Sequence, residues 1–172
     1  MNPVTNAHIN RNRVPPLMKN IAPFVADLQA GSVAKRRAAA VALGKSGMTA
    51  AIPALAAALG DPHPAVRCEI MQALGRLADS SAVPHLTSAL DDAEPAVRAA
   101  ALAALGRIKD PASAPAVAGL VNDKDVGVRI GAAVVLGKLG DRRAIGSLEK
   151  LLHDPFSEVR EAAETALARF RK

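Results

Sequence analysis

Two features of this sequence could carry out acid–base chemistry: a recurring pair of Asp and Arg residues, and one cysteine. Asp61 is followed by Arg67, and the same spacing returns in Asp92 and Arg98, Asp123 and Arg129, and Asp154 and Arg160. The Asp could cap a helix, and the guanidinium could bind a carboxylate bidentately, within one repeat or between repeats. We call this recurring series of pairs the Asp–Arg ladder. Because a catalytic site would differ from its counterparts in the other repeats, a pair that recurs unchanged predicts a structural role and not catalysis. Arg36 has Ala30 in place of the Asp, so we expect it to be available for another task.

Cys68 is the only cysteine, which excludes an internal disulfide and a Cys-based metal cluster. It follows Arg67, and Arg37 lies one repeat earlier, so nearby cations could lower the pKa of its thiol. No His, Asn or Asp constellation for covalent catalysis accompanies it, which favours a small, inert thiol. The four His share no metal-ligand spacing, so we predict no metal, no other cofactor and no enzymatic activity.

The Asp–Arg pairs lie within a longer repeat of constant length. The segment DPHPAVRCEIMQALG at 61–75 returns in the same frame at 92–106, 123–137 and 154–168. In the first half of each repeat, apolar residues follow the i, i+3, i+7 spacing of an amphipathic helix, as in Ile52, Leu55 and Leu59. The second half repeats a second apolar set, as in Val66, Ile70 and Leu74. Each repeat is therefore predicted to be helix–turn–helix.

Punctuating residues agree with this interpretation. The first helix is preceded by a candidate capping Asp and has a Pro near its start, where a missing N–H costs little. These residues are Asp79, Asp110 and Asp141, and Pro53, Pro84 and Pro115. A Gly recurs inside the second helix at Gly44, Gly75, Gly106 and Gly137. Since Gly there costs about 1 kcal/mol relative to Ala, we predict that another helix approaches closely at this position.

The predicted fold class is all-α: an α-solenoid, or superhelix, of five 31-residue helix–turn–helix repeats. The repeats fall at about 17–47, 48–78, 79–109, 110–140 and 141–172, and together form a single domain. Residues 1–16 lack a periodic apolar face and are predicted to be a flexible tail. Asp27 and Glu164 place a charge at positions that are uncharged in the other repeats, as terminal repeats with a polar outer face require.

Composition limits the partners of this chain. The formal net charge is +6, and half of it comes from Arg11, Arg13 and Lys19, since residues 1–20 contain no acidic side chain. The remainder is only mildly basic, and there is no Trp or Tyr for base stacking, which argues against nucleic acid as the main partner. The sequence has neither a signal peptide nor an 18-residue apolar run, so we predict a cytoplasmic protein without a membrane partner.

The pattern D-x-x-x-x-V-R-x-x-A-x-x-A-L-G resembles the short HEAT-like repeats of the PBS lyase (phycobilisome lyase) type, from about Leu17 onwards. This resemblance implies a solenoid whose second helices line the concave surface. The family includes bilin-lyase subunits, deoxyhypusine hydroxylase and small interaction scaffolds. The hydroxylase binds iron through paired His-Glu motifs. Because Ile9, Pro64, Leu86 and Asp154 follow the four His here, that activity is not expected.

Positions outside the core of the second helices form columns that vary from repeat to repeat. Small and apolar residues occupy the middle, and one Lys or Arg per repeat borders them. The predicted partner-binding residues are Arg37, Cys68, Glu69, Gln72, Ala99, Ala103, Ile130 and Val134, with the basic residues Arg76, Arg107 and Lys138. Apolar patches on a solvent-facing helix surface mark binding sites, whereas the cations could also serve only to complement helix ends.

These observations predict a non-enzymatic scaffold or adaptor that binds another protein or peptide, acidic in character, on the concave face. Self-association through the same face is an alternative. Two further hypotheses are an accessory subunit of a bilin-lyase-type complex and a weak electrostatic nucleic-acid binder. The nucleic-acid binder would use the basic residues Arg76, Arg107 and Lys138, which we call the basic column.

Overall fold

The computed structural model describes residues 20–171, and within that range it contains helices and turns but no strand. Its α-helices alternate between short and long. The short first helices are α1 (Ala22–Ala30), α3 (Ile52–Ala57), α5 (Val83–Ser88), α7 (Ala114–Gly119) and α9 (Ile145–Leu151). The long second helices are α2 (Val33–Lys45), α4 (Pro64–Leu77), α6 (Pro95–Ile108), α8 (Val126–Leu139) and α10 (Ser157–Ala168). The predicted all-α solenoid is confirmed, whereas the predicted tail at 1–16 lies outside the described residues.

Single 3₁₀ turns lengthen most first helices. In the third repeat, 3₁₀ turns at Ser80–Ala82 and Ala89–Asp91 flank α5. The Asp79 carboxylate accepts the backbone N–H of Ser81 at 2.9 Å, so it caps the 3₁₀ turn that leads into the helix. Asp110 and Asp141 make the equivalent bonds to Ala112 and Arg143. These caps are confirmed, and the Pro residues lie in the first turn of α3, α5 and α7, as predicted.

The second helices pack directly on one another along the array. A Cβ added to Gly44 would lie 2.6 Å from the Cα of Ala73, and one added to Gly75 would lie 2.8 Å from the Cα of Ala104. Gly137 meets Ala166 in the same way, and Gly106 meets Val135. The prediction that these glycines allow close helix approach is therefore confirmed.

The Asp–Arg ladder joins neighbouring repeats. Arg98 donates from Nε and Nη2 to the two carboxylate oxygens of Asp123 at 2.7 Å each, and from Nη1 to the backbone carbonyl of Asp92 at 2.9 Å. Arg98 thus contacts the backbone of its own turn and the carboxylate of the next repeat. Equivalent bidentate pairs join Arg36 to Asp61, Arg67 to Asp92, and Arg129 to Asp154.

Two expectations about the ladder were wrong. Arg36 is not available for another task, because Asp61 of the following repeat and the carbonyl of Gly31 bind it. The ladder Asp also does not cap the second helix directly. The Asp61 carboxylate accepts the backbone N–H of His63, and His63 is itself the N-cap residue of α4. The Asp61 carboxylate therefore orders the turn before α4 and also accepts hydrogen bonds from the guanidinium group of Arg36.

The ends of the array differ from its middle. Glu164 is exposed on α10, although Met71, Leu102 and Ala133 at the same repeat position are buried. Asp27 at the other end is partly buried. No helix within residues 20–171 combines the length and the hydropathy needed to cross a lipid bilayer.

Candidate partner-binding surface

The predicted site residues all lie on the second helices, and the structure places them in adjacent columns. At the N-terminal end, Arg37 on α2 donates to Glu69 on α4 at 3.0 Å, so this pair bridges two repeats. Glu69 is largely covered by the contact, whereas half of the Arg37 side chain remains exposed. This end of the surface is polar and internally paired.

Towards the middle the surface becomes apolar. Ala99 and Ala103 on α6 are exposed, and Val134 on α8 has 41% of its area exposed. Ile130 is half-buried and packs against the core. Val134 is one of two large apolar side chains that remain exposed among the described residues, which marks this region as an unusual stretch of helix surface.

The basic column borders the apolar residues. Arg76, Arg107 and Lys138 are exposed and lie in the last turns of α4, α6 and α8. Arg76 donates to the side chain of Gln72 at 3.2 Å. Among residues 20–171, no carboxylate lies within salt-bridge distance of these three cations, and they donate no hydrogen bond to a helix carbonyl. Their charges therefore face solvent and can receive an acidic ligand.

Apolar and basic residues meet in a shallow depression of about 200 Å³ between α4 and α6. Ala100, Ala103 and Ala104 line it together with Gln72, Arg76 and Arg107. The depression stays open because the Ala side chains on α6 leave space that longer side chains would fill. The depression can accept a small apolar group with a carboxylate directed at either guanidinium.

The structure assigns no activated nucleophile to this surface. Cys68 is half-buried, and burial raises the pKa of its thiol even though Arg67 acts in the opposite direction. At neutral pH the thiol is therefore protonated, and the suggestion that cations activate it is wrong. Within residues 20–171, no three His, Cys, Asp or Glu side chains converge to hold a metal ion.

Sequence reasoning missed two residues at the C-terminal edge of the array. Arg160 on α10 occupies the ladder position but has no carboxylate partner among the described residues. Phe156, the N-cap residue of α10, is 47% exposed, and its ring centre lies 5.6 Å from the guanidinium carbon of Arg129. The sequence contains a signal for Arg160: every ladder Arg except this one is followed by the Asp of another repeat.

Comparison with protein families identifies HEAT repeats in this chain. The model that describes HEAT repeats matches residues 21–101 and 83–168, which together cover most of the chain. No curated protein matches the sequence at a significant level.

Solved structures share the fold. The chain is similar to one in the complex of CpcE and CpcF of phycocyanin lyase from Nostoc sp. PCC7120, with 29% identity and a TM-score of 0.77 over 98% of this chain and 70% of that one. It is also similar to a designed armadillo repeat protein in complex with the peptide (KR)4, with 21% identity and a TM-score of 0.66 over 87% of this chain and 81% of that one. The second likeness concerns the fold alone.

Proposed function

Since the chain belongs to the HEAT repeat family, we propose that it is a non-enzymatic scaffold that binds an acidic protein segment on the surface of its second helices. The main supporting observation is the depression between α4 and α6, where exposed Ala103 and two less exposed alanines adjoin the side chains of Arg76 and Arg107. Apolar contact would supply the affinity, and the cations would orient a segment that carries Asp or Glu.

The packing supports a concave position for this surface. Consecutive second helices contact one another extensively, whereas the α-helical parts of consecutive first helices share few contacts. An array whose two layers differ in this way bends towards the more closely spaced layer, which is that of the second helices. A concave surface lets an extended segment contact several repeats at once.

The proposal of a non-enzymatic role rests on how the reactive side chains are used. The guanidinium groups of the ladder from Arg36 to Arg129 are paired with carboxylates of the following repeats. Burial raises the pKa of the Cys68 thiol, so this group is not an activated nucleophile. What varies between the repeats is the solvent-facing columns, as expected of a surface that recognises a partner.

Affinity capture from the source cells tests the proposal. Replacing both Ala103 and Val134 by Glu adds two carboxylates to the apolar columns, beside Arg76, Arg107 and Lys138. Both sites are exposed, so the fold should be retained. We expect proteins captured by the wild type to be lost with this variant.

The matched control places two Glu on first helices, at the exposed positions Ala57 and Ala116, and should capture the same proteins as the wild type. Unchanged capture by the Ala103→Glu, Val134→Glu variant would exclude this surface.

Similarity to a chain of the CpcE–CpcF complex favours a second candidate, an accessory subunit that handles a bilin together with a partner chain. A bilin carries carboxylates on an apolar skeleton, which is the chemistry that the depression accepts. Mixing the purified chain with a bilin, alone and with a candidate partner, should then shift the visible absorption spectrum. An unchanged spectrum in both mixtures would count against this function.

A further inference from the structure

The cations of the basic column recur once per repeat, and Lys45 and Arg169 extend the column by one cation at each end. All five side chains are exposed. Among residues 20–171, none of them lies within salt-bridge distance of a carboxylate. The residues one helical turn before them include no acid: Val41, Gln72, Ala103, Val134 and Thr165. The described part of the array therefore carries a row of positive charge along its second helices.

Packing holds the aliphatic parts of these cations in place. The Cδ of Arg107 on α6 lies 3.6 Å from the position that a Cβ on Gly75 would take, so its side chain extends over the preceding helix α4. Lys138 on α8 extends over Gly106 on α6 in the same way, with its Cδ at 3.7 Å. Because a packed stem restricts where the charged end can lie, the positive groups recur with similar geometry from helix to helix.

The spacing of successive cations follows the spacing of the second helices. Helices that pack side by side have axes about 8–10 Å apart. The glycine contacts favour the shorter part of that range, since a Cβ on Gly75 would lie 2.8 Å from the Cα of Ala104. A ligand that matches the column must therefore repeat its negative charge at about the same interval.

Backbone conformations differ in how well they match this interval. A polyproline II helix has three residues per turn and rises about 3.1 Å per residue, so every third side chain faces the same way at about 9.3 Å. A β-strand returns its side chains to one face after two or four residues, at about 6.7 or 13 Å. An α-helix returns after seven residues, at about 10.5 Å, which exceeds the spacing of closely packed helices. Polyproline II gives the best match.

We propose that the basic column binds an extended, proline-rich acidic segment with Asp or Glu at every third position, which rests on the scaffold function proposed above and specifies its partner. Carboxylates at i, i+3 and i+6 would then meet Arg76, Arg107 and Lys138. Each guanidinium can bind a carboxylate bidentately. A residue between two carboxylates can enter the depression beside Ala103. A polyproline II segment is already extended before it binds, so it loses little conformational entropy.

Two peptides of equal length, charge and composition test this spacing. The peptide (Asp-Pro-Pro)4 spaces its carboxylates at every third position over about 28 Å, matching the cations from Lys45 to Lys138. The control peptide, Pro-Pro-Asp-Pro-Asp-Pro-Asp-Pro-Asp-Pro-Pro-Pro, has them at every second position. We expect fluorescence anisotropy with the full chain to show at least about tenfold tighter binding of (Asp-Pro-Pro)4, because carboxylates of the control peptide miss their cations.

Matched variants separate the column from the overall charge. Arg107→Gln removes a cation from the middle of the column and should weaken binding of (Asp-Pro-Pro)4 about fivefold, with a smaller effect on the control peptide. Arg142→Gln removes the same charge from an exposed position in a turn before a first helix. It should leave both affinities within about twofold, since this cation lies outside the column.

Four results would overturn the inference. They are no binding of either peptide, equal affinity for both peptides, tighter binding of an α-helical peptide with Glu at every seventh position, or tighter binding of single-stranded DNA of similar length that Arg107→Gln abolishes. Equal affinity that is lost in the Ala103→Glu, Val134→Glu variant would remove only the spacing and leave the scaffold function in place. Unchanged capture of cellular proteins by that variant would instead contradict the scaffold function itself.

Discussion

Arg98 illustrates how a buried charge is kept at one position of the fold. Its side chain is 6% exposed and that of Asp123 is 7% exposed, so both charges are largely removed from water. Burial is the largest single influence on the pKa of Asp123 and raises it. Hydrogen bonds from Arg98 and from the N–H of Asp125, with the attraction of the positive charge, together outweigh burial and leave the pKa lowered. Nε, Nη1 and Nη2 of Arg98 all donate hydrogen bonds, so neither charge of the pair is buried without a partner.

Replacing Arg98 by Ala should therefore lower the free energy of unfolding by about 3 kcal/mol, because it leaves the Asp123 carboxylate buried and uncompensated. Urea unfolding followed by circular dichroism measures this change. Arg142→Ala is the matched control: Arg142 is exposed, so its loss should change stability by less than about 0.5 kcal/mol. Equal unfolding midpoints for the two variants would show that the ladder contributes little.

At the scale of helices, close contact between consecutive second helices governs the packing. Gly75 on α4 and Ala104 on α6 bring the two backbones together, and the same pairing recurs along the array. Glycine is unfavourable within a helix when viewed in isolation. It is retained here because a side chain would separate the helices, which would also displace the ladder pairs that span the same interface.

Gly75→Ala should consequently destabilise the protein by about 1–3 kcal/mol, although Ala is the better helix former. The added Cβ would lie 2.8 Å from the Cα and Cβ of Ala104, and those atoms cannot rotate away. Gly146→Ala on α9 is the control, since no atom outside its local backbone lies within 4 Å of the new Cβ. That substitution should stabilise the protein by about 0.5–1 kcal/mol. Thermal or urea unfolding of both variants checks the opposite signs.

At the scale of the molecule, the ladder makes the joints between repeats depend on the same chemistry. Hydrogen bonds from Arg36, Arg67 and Arg129 lower the pKa values of Asp61, Asp92 and Asp154 below the ordinary value of 3.8. A carboxyl whose pKa is lowered by folding stabilises the folded state above its unfolded pKa and loses that contribution as the pH falls through its folded pKa. Acid should therefore weaken the interfaces together.

We expect the free energy of unfolding to stay nearly constant above about pH 5 and to fall steeply below about pH 4. Urea unfolding at a series of pH values measures this profile. In Asp92→Asn one group no longer titrates, so the decrease between neutral and acidic pH should be smaller than in the wild type, from a lower starting stability. A wild-type stability that is unchanged down to about pH 3 would contradict the role of these carboxylates.

The architecture and most of the candidate surface follow from the periodicity of the amino-acid sequence. A strict 31-residue period specifies which residues share a column, so exposed Ala103, Val134 and Arg107 could be grouped before their positions were known. The glycine column also had a readable physical meaning, because a costly residue that recurs inside a helix indicates contact. The depression between α4 and α6 could not be predicted, since its volume depends on how closely the two helices pack.

The connection of the ladder depends instead on how the helices pack. In a strictly periodic sequence, an Arg can pair with the Asp before it in its own repeat or with the Asp after it in the next repeat. Both Asp residues lie at a constant distance from the Arg along the chain, so the sequence pattern does not distinguish pairing within a repeat from pairing between repeats. The two arrangements differ only at the ends of the array. Pairing within a repeat leaves Arg36 without a carboxylate, and pairing between repeats leaves Arg160 without one. The helix packing selects the second, because Arg36 reaches across the interface to Asp61 while Arg160 has no following repeat among the described residues. The physical reason is that sequence separation records the repeat period, whereas side-chain reach depends on the distance between packed helices.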